Sequence, residues 1–314
     1  MKKNPLIILT GPTSVGKTAL SIALAKAVNG EIISADSMQV YRHMDIGTAK
    51  ITPEEMDGVP HYLIDEFDPD EEFNVVTFQQ LSKAYMQQIY SRNKIPILVG
   101  GTGFYIQAVL YDINFTENET DNSYRTELEQ LLEERGADYL HDLLKKADPN
   151  SAEAIHPNNS KRVIRALEYI KVTGDKISEH NKEQRSKESP YNFCYFVLNI
   201  DRAKLYETIN QRVDLMLKHG LLEEVKKLVD LGYTGELVSM QGLGYKELLE
   251  YIKGTYTLEE AIDILKRDTR HFAKRQLTWF RREKDVIWVD KDLFLSDVEI
   301  LDYLKNRLKE KDII

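Results

Sequence analysis

The segment GPTSVGKT at residues 11–18 constrains the fold of this chain more than any other feature. It has the pattern G-x-x-x-x-G-K-T, and it lies between an apolar run at residues 6–9 and an Ala- and Leu-rich segment at residues 18–28. This order predicts a strand, a phosphate-binding loop and a helix. Its N–H groups would face phosphate oxygens, Lys17 would neutralise charge, and the Thr18 hydroxyl is placed for Mg²⁺. We therefore expect a polyphosphate site here, the alternative being a glycine-containing turn without a ligand.

Short apolar runs bounded by Gly, Pro or Asp recur along the chain and alternate with helical patterns. We expect strands at residues 6–9, 31–34, 62–64, 95–99, 193–200 and 286–289. Two helix starts are predicted from capping boxes, one formed by Thr77 and Gln80 and one by Thr257 and Glu260. Strands that alternate with helices indicate a parallel sheet that is covered on both faces.

The segment at residues 115–191 differs from the rest of the chain. It is polar, holds no convincing strand, and offers two or three helices, such as RTELEQLLEERG and KRVIRALEYIKVTG. We interpret it as a helical insertion. The predicted fold class is an α/β protein with a P-loop NTPase-like parallel sheet core covered by helices and with a helical insertion domain. Residues 1–114 form the first part of the core, and residues 192–314 complete it and add C-terminal helices.

Composition excludes several classes of protein. The 314 residues are 42% hydrophobic and 30% charged, and no run approaches the roughly 20 apolar residues of a membrane span. We therefore expect a cytoplasmic protein without a membrane partner. The one cysteine, Cys194, lies in an apolar run and is predicted to be a buried thiol, so a disulfide within the chain and a multi-cysteine zinc site are excluded. The seven histidines lack metal-ligand spacing.

The distribution of charge matters more than its sum. A formal net charge of −9 argues against a nucleic-acid partner, because affinity for phosphate backbones comes from Lys and Arg. Residues 266–284, however, contain eight basic residues and only two acids. A second basic pattern, Lys161, Arg162 and Arg165, lies apart from an apolar stripe. Each pattern can be a solvated helix face or an RNA-binding face.

The strand ends argue against a nucleoside triphosphate hydrolase. Such enzymes usually have a strand that ends in Asp near Mg²⁺, whereas the run at residues 95–99 ends in Gly100 and Gly101. This second glycine turn carries Thr102 and is suited to a close approach to phosphate. The run at residues 31–34 leads to Asp36. Since strand carboxyl ends form the binding crevice of such a sheet, Asp36 and Thr102 should converge on the ligand of the loop, unless Asp36 is only a turn or cap residue.

Six motifs together resemble those of the bacterial tRNA dimethylallyltransferases, also called tRNA isopentenyltransferases. They occur in the order of that family and extend over nearly the whole chain. The motifs are GPTSVGKT (11–18), SADSMQVYRHMDIGTAK (34–50), VGGTGFYIQAVL (99–110), DPNSAEAIHPNNSKRVIRALE (148–168), QGLGYKE (241–247) and DTRHFAKRQLTWFR (268–281). The loop departs from the family pattern at Ser14 and Val15, where the family often has Ala-Ser or Ala-Gly and where the backbone N–H makes the contact.

The resemblance implies transfer of a dimethylallyl group from dimethylallyl diphosphate to N6 of the adenine on the 3′ side of the anticodon of tRNA. The loop would then hold a departing diphosphate, with Mg²⁺ as the cofactor near Thr18. Asp36 would accept the N6 proton, Thr102 would contact the diphosphate and the reacting centre, and Gln39 would read the adenine edge. Arg212 would hold the diphosphate, although a surface arginine on a helix is the alternative.

The resemblance also assigns two sets of binding residues. Those for the diphosphate are Gly11, Pro12, Thr13, Ser14, Val15, Gly16, Lys17, Thr18 and Arg212. Those for tRNA are Asp36, Ser37, Met38, Gln39, Thr102, Arg125, Lys161, Arg162, Val163, Ile164, Arg165, Gln241, Gly242, Leu243, Gly244, Tyr245, Lys246, Arg270 and Lys274. We expect the insertion and the final helices to bind the anticodon stem-loop as parts of a monomer.

Two other functions remain open from the residues alone. A phosphate-loop kinase would place ATP in the loop and use Asp36 to activate an acceptor hydroxyl, but a helical lid with paired arginines is not evident. An RNA-binding protein could use the loop only to regulate affinity. Stabilisation against heat by dimethylallyl diphosphate or by ATP would distinguish these possibilities.

Overall fold

A computed structural model describes residues 3–115 and 123–314 of the chain. The chain forms two compact units, one made of Met1–Leu110 and Pro190–Ile314 and the other made of Tyr111–Ser189. The second unit covers most of the predicted insertion at residues 115–191, but it begins and ends earlier in the chain. Residues 116–122, which open the predicted insertion, lie outside the described residues.

The first unit is built on a six-stranded sheet. Its strands are β1 (Asn4–Thr10), β2 (Gly30–Ser34), β3 (His61–Tyr62), β4 (Ile95–Gly100), β5 (Tyr191–Asn199) and β6 (Val286–Asp290). The order across the sheet is β3-β2-β4-β1-β5-β6, and each neighbouring pair is parallel. The predicted parallel sheet is therefore confirmed. Because β1 lies between β4 and β5, the loop that follows β1 is flanked by the carboxyl ends of two other strands.

Helices account for most of the remaining described chain. In chain order they are α1 (Lys17–Val28), α2 (Pro53–Met56), α3 (Val75–Ser91), α4 (Gly103–Leu110), α5 (Ser123–Arg135), α6 (Ala137–Ala147), α7 (Pro149–Ala154), α8 (Ser160–Thr173), α9 (Ile177–Ser186), α10 (Arg202–Lys218), α11 (Leu221–Asp230), α12 (Tyr245–Ile252), α13 (Leu258–Phe280) and α14 (Asp297–Glu310). Within the described chain, no helix combines the length and the apolar character needed to cross a membrane.

Local hydrogen bonds explain where two of these helices begin. At the start of α3, Oδ1 of Asn74 accepts hydrogen bonds from the N–H groups of Val76 (2.9 Å) and Thr77 (3.1 Å). The predicted capping box of Thr77 and Gln80 is therefore wrong, because the asparagine caps the helix three residues earlier. At the start of α13 the predicted box is confirmed. The Glu260 N–H donates to Oγ1 of Thr257 at 3.2 Å, and the Thr257 N–H donates to Oε2 of Glu260 at 2.8 Å.

Apolar side chains on both faces of the sheet hold the first unit together. Residues 6–10 of β1 and all of β2 are buried, which is typical of parallel strands covered by helices on both sides. Cys194 of β5 lies in this core, as predicted, and burial raises the pKa of its thiol to about 11. This thiol is therefore protonated at neutral pH and is a poor nucleophile.

The second unit consists of α5 to α9, so the sequence underestimated its number of helices. Its core is formed by residues such as Leu128, Leu140 and Val163. The buried carboxylate of Asp148 joins two of these helices. It accepts hydrogen bonds from the N–H and hydroxyl of Ser151 at 3.2 and 2.7 Å, and from the N–H and hydroxyl of Ser178 at 2.9 and 2.7 Å. All of its acceptor positions are therefore used to hold α7 and α9.

Candidate active site

The predicted phosphate loop connects β1 to α1. Gly11 has φ +149° and packs against β5, where an added Cβ would lie 2.6 Å from the Leu198 carbonyl oxygen. Gly16, directly before α1, has φ +87°, a conformation that favours glycine. Nζ of Lys17 donates hydrogen bonds to the carbonyls of Gly11 at 3.0 Å and Pro12 at 2.8 Å. The sequence around the loop therefore folds as its pattern predicts.

Three charged side chains influence one another beside this loop. Burial and the nearby charge of Arg212 lower the pKa of Lys17 to about 8, while Asp36 acts in the opposite direction. Burial also lowers the pKa of Arg212, again against the effect of Asp36. Arg212 is half-buried on α10, so it is not a fully solvated arginine. Two positive groups and one carboxylate are thus close enough to interact electrostatically beside the loop.

Asp36 and Thr102 are brought together by the backbone of neighbouring strands. The Ala35 N–H donates to the Val99 carbonyl at 2.8 Å, and the Thr102 N–H donates to the Ala35 carbonyl at 3.1 Å. Oδ1 of Asp36 accepts hydrogen bonds from the N–H groups of Met38 at 2.9 Å and Gln39 at 3.3 Å, so Asp36 does shape a turn. Its Oδ2 has no hydrogen bond from the described residues and remains available to accept a proton.

The glycines around Thr102 allow neighbouring backbone and side chains to pack closely against this turn. An added Cβ on Gly100 would lie 2.1 Å from the Ala35 carbonyl oxygen, and one on Gly101 would lie 2.2 Å from Nε2 of Gln276. The corresponding position at Gly103 is 2.2 Å from Trp279. Backbone and α13 side chains therefore fill the space where side chains would lie, and the predicted approach of phosphate to this turn stays a prediction. The Thr102 hydroxyl has no hydrogen-bond partner among the described residues.

The amide of Gln39 is engaged inside the protein. Its Nε2 donates to the carbonyls of Thr48 and Ala49, each at 3.2 Å, and its Oε1 accepts from the Ser34 hydroxyl at 3.5 Å. To read an adenine edge, Gln39 would have to exchange these bonds. The sequence pattern did not reveal this, because an exposed and an engaged glutamine look alike in a loop.

The segments at residues 36–39 and 241–246 pack together. An added Cβ on Gly242 would lie 2.5 Å from Cε of Met38. Tyr245 is fully buried, and its hydroxyl donates to Oε1 of Glu224 at 2.7 Å. The Tyr245 side chain is therefore engaged inside the protein, and the predicted tRNA binding at this residue stays a prediction. Lys246 is half-buried and paired with Glu247 at 3.4 Å, whereas Gln241 is exposed and Leu243 half-exposed.

Glu224 was missed by the sequence analysis. Besides Tyr245, it accepts hydrogen bonds from three successive N–H groups, those of Asp45 at 3.0 Å, Ile46 at 2.7 Å and Gly47 at 3.1 Å. It therefore fixes the loop that follows Asp36 and Gln39. No sequence signal identified it, since acidic residues are common on the exposed face of an amphipathic helix such as α11.

The predicted RNA-binding cations differ in how they are held. In the first unit, Arg270 donates to Oδ1 of Asn210 at 2.6 Å, whereas Lys274 is exposed. In the second unit, Arg125 donates two hydrogen bonds to the Glu168 carboxylate, from Nε to Oε1 at 2.9 Å and from Nη2 to Oε2 at 2.8 Å. Lys161, Arg162 and Arg165, all on α8 of that unit, are exposed.

Two residues assigned to tRNA binding point away from solvent. Val163 and Ile164 of α8 belong to the core of the second unit, where their exposed fractions are 0% and 5%. Their side chains cannot reach RNA without unfolding the unit. Any contact of these residues with tRNA would therefore use their backbone, and the predicted tRNA binding at Val163 and Ile164 stays a prediction.

The loop offers a position for Mg²⁺ at Thr18. This residue is exposed, and its hydroxyl has no hydrogen bond from the described residues. Among those residues, no group of three or more His, Cys, Asp or Glu side chains could hold a metal ion. Mg²⁺ at phosphate sites commonly combines one or two protein oxygens with phosphate oxygens and water. Thr18 fits a metal that arrives together with a polyphosphate.

Comparison with known proteins identifies relatives over nearly the whole chain. Residues 39–283 match the family described as IPP transferase. A tRNA dimethylallyltransferase of Lachnoclostridium phytofermentans is 66% identical over 310 residues, which is 99% of each chain. That of Acetivibrio thermocellus is 52% identical over 300 residues, or 96% of each chain.

Comparison with solved structures also identifies relatives over nearly the whole chain. A tRNA isopentenylpyrophosphate transferase of Bacillus halodurans is 50% identical, with a TM-score of 0.74, and the match covers 99% of this chain and 98% of that one. A eukaryotic dimethylallyltransferase, solved as it acts on tRNA, is 32% identical with a TM-score of 0.82 over 96% of this chain and 80% of that one. The predicted P-loop NTPase-like core is therefore shared with solved tRNA prenyltransferases.

Proposed function

The chain belongs to the IPP transferase family, and from this premise we propose that it is a tRNA dimethylallyltransferase. It transfers the dimethylallyl group of dimethylallyl diphosphate to N6 of the adenine on the 3′ side of the anticodon. The products are N6-(dimethylallyl)adenosine in tRNA and free diphosphate. The observation that carries this proposal is the electrostatic interaction of Lys17, Arg212 and Asp36 beside the phosphate loop.

The two cations suit a departing diphosphate. Breaking the allylic C–O bond leaves negative charge on the diphosphate, and Lys17 and Arg212 stabilise that charge together with the loop N–H groups. Mg²⁺ bound beside Thr18 would supply further positive charge to the same oxygens. No carboxylate follows β4 to activate water, because Gly100 and Gly101 occupy that position. This arrangement favours transfer to an organic acceptor over hydrolysis.

Asp36 is suited to the acceptor side of the reaction. The new bond forms between N6 and the allylic carbon, and the N6 proton then moves to a base. Two N–H groups hold one carboxylate oxygen of Asp36, which fixes its orientation and leaves Oδ2 to take the proton. General-base help of this kind contributes roughly 10² to 10⁴ in rate.

The tRNA contacts follow from which residues are exposed. An adenine must leave its stack to reach such a site, at a cost of a few kcal/mol, which contacts with backbone and splayed neighbours offset. Exposed candidates are Gln241 and Lys274 in the first unit and Lys161, Arg162 and Arg165 in the second. Recognition of the anticodon stem-loop, action as a monomer and a cytoplasmic location belong to this proposal.

Label transfer tests the proposal. Incubation of the protein with bulk unmodified tRNA, Mg²⁺ and labelled dimethylallyl diphosphate should move the label into tRNA. Dimethylallyl diphosphate with Mg²⁺ should also raise the melting temperature more than ATP with Mg²⁺ does. Stronger stabilisation by ATP together with phosphoryl transfer would instead identify a kinase, and tRNA binding without label transfer would identify an RNA-binding protein.

A further inference from the structure

Gln276 connects two loops that are far apart in the sequence. It lies on α13 and is 7% exposed. Its Oε1 accepts a hydrogen bond from the Thr13 N–H at 2.8 Å, and its Nε2 donates to the Gly101 carbonyl at 3.0 Å. Because the N–H can only donate and the carbonyl can only accept, the orientation of the amide is determined. One side chain therefore joins the phosphate loop to the turn that carries Thr102.

The surrounding residues are shaped for this bridge. A side chain at Gly101 would displace the Gln276 amide, since its Cβ would lie 2.2 Å from Nε2 of Gln276. Trp279, one turn further along α13, fills the corresponding space beside Gly103. The glycines of this turn thus pack closely against α13. Within this packing, Gln276 makes the polar contact through its hydrogen bond to Gly101.

A continuous set of contacts runs from the phosphate loop to Asp36. Gln276 joins Thr13 to Gly101, and the next residue, Thr102, donates its N–H to the carbonyl of Ala35. Ala35 directly precedes Asp36 in the chain. The side chain of Gln276 is therefore one of the links that fix the distance between the diphosphate-binding loop and Asp36.

We propose that Gln276 is a positioning residue for dimethylallyl transfer, which holds the loop for the leaving group in register with Thr102 and Asp36. This inference rests on the proposed function. In-line transfer needs the leaving diphosphate, the allylic carbon and N6 to be aligned, and a misplacement of about 1 Å can cost roughly 10² in rate. The Thr13 N–H is bound by Gln276 and so contributes to the shape of the loop.

The first test replaces the amide by a side chain of similar length. Gln276→Met removes both hydrogen bonds and keeps an unbranched side chain of similar length on α13. We expect kcat to fall at least about tenfold, because alignment is lost. The KM for dimethylallyl diphosphate and the Kd for tRNA should stay within about threefold of the parent, because Lys17, Arg212 and the exposed cations are unchanged. A kcat within about twofold of the parent would overturn the proposal.

Gln79 provides a matched control. It is also a buried glutamine, and its Nε2 donates to the Ala108 carbonyl at 2.7 Å on the helix pair α3 and α4. Gln79→Met should lower the melting temperature but leave kcat near the parent value. If both variants lose kcat to the same extent, the loss reflects general destabilisation, and the positioning role is refuted.

A second variant gives a readout that depends on pH. In Gln276→Glu, a protonated carboxyl can accept from the Thr13 N–H and donate to the Gly101 carbonyl, as the amide does. The ionised form cannot donate, and it places negative charge beside the phosphate loop. The kcat of this variant, divided by that of the parent at the same pH, should therefore rise as the pH falls. A ratio that does not change with pH would contradict the proposal.

Measurements on the parent enzyme distinguish a failure of the positioning role from a failure of the proposed function. Normal label transfer by the parent with unaffected Gln276 variants would refute the positioning role alone. Absence of transfer by the folded parent with Mg²⁺, unmodified tRNA and dimethylallyl diphosphate would refute the proposed function and the positioning role with it.

Discussion

Raising the pH above the pKa of Lys17 should weaken the binding of dimethylallyl diphosphate. Burial and the charge of Arg212 lower this pKa from 10.5 to about 8. Diphosphate binding favours the charged form of the lysine, so affinity should be high below this pKa and should fall as the pH rises through it. A lysine with its ordinary pKa would show almost no change near neutral pH.

The size of the effect follows from the fraction of Lys17 that is protonated. With a pKa of about 8, this fraction drops from about nine tenths at about pH 7 to about one tenth at about pH 9. If the charged form binds and the neutral form does not, the Kd rises about tenfold, or about 1.4 kcal/mol. Arg212→Gln should shift the midpoint to higher pH, since it removes a positive neighbour. It should also weaken binding roughly ten- to hundredfold at every pH, because a charge-assisted contact is lost.

Isothermal titration calorimetry with dimethylallyl diphosphate at constant Mg²⁺ and without tRNA measures this dependence. Lys17→Met is the control, since its residual binding should not vary over the same pH range. A constant Kd in the parent between about pH 7 and pH 9, or an unchanged pH dependence in Lys17→Met, would refute the reasoning.

Three further predictions concern the base, the second unit and the RNA-binding faces. Asp36→Ala should reduce turnover by about 10² or more while tRNA still binds, and full turnover in a single-turnover assay would remove Asp36 from the mechanism. Asp148→Asn should lower the free energy of unfolding by about 1–3 kcal/mol in urea titrations. Burial alone would raise the pKa of Asp148, but its hydrogen bonds to Ser151 and Ser178 outweigh this effect and hold the pKa below its usual value. The carboxylate therefore stays ionised at neutral pH, and the difference in unfolding free energy between variant and parent should shrink only below about pH 4. Replacement of Arg162, Arg165 or Lys274 by Ala, one at a time, should reduce the magnitude of the negative slope of log K for tRNA against log salt by about one. A parent slope near zero would count against RNA binding through these faces.

The sheet could be predicted because its central strands are buried on both faces. Runs such as Leu6–Leu9 are continuously apolar, and proline, glycine or polar residues bound them on either side. The prediction was poorest at β3, which has only two residues at the edge of the sheet and buries little surface. The start of α3 was misplaced because two capping patterns follow each other closely, and only the structure decides which one is used.

The part of the candidate site that lies at the carboxyl ends of strands was predictable from the sequence. Asp36 and Thr102 come directly after β2 and β4, so a parallel sheet places them at the same edge. Gln276 and Glu224 lie on helices whose packing partners are distant in the sequence. A buried glutamine in a basic helix has the same local sequence pattern as an exposed one. The motif at residues 268–281 therefore did not indicate that Gln276 is buried and joins two loops.

The most direct test of the account measures both products of the proposed reaction together. In a single incubation with unmodified tRNA, labelled dimethylallyl diphosphate and Mg²⁺, the released diphosphate and the label on adenine N6 are counted. The account predicts equal amounts of the two products, with no diphosphate released when tRNA is omitted, since Asp36 and the turn at Thr102 serve an adenine and not water. Release of diphosphate without tRNA, or tRNA that stays unlabelled while bound, would contradict it.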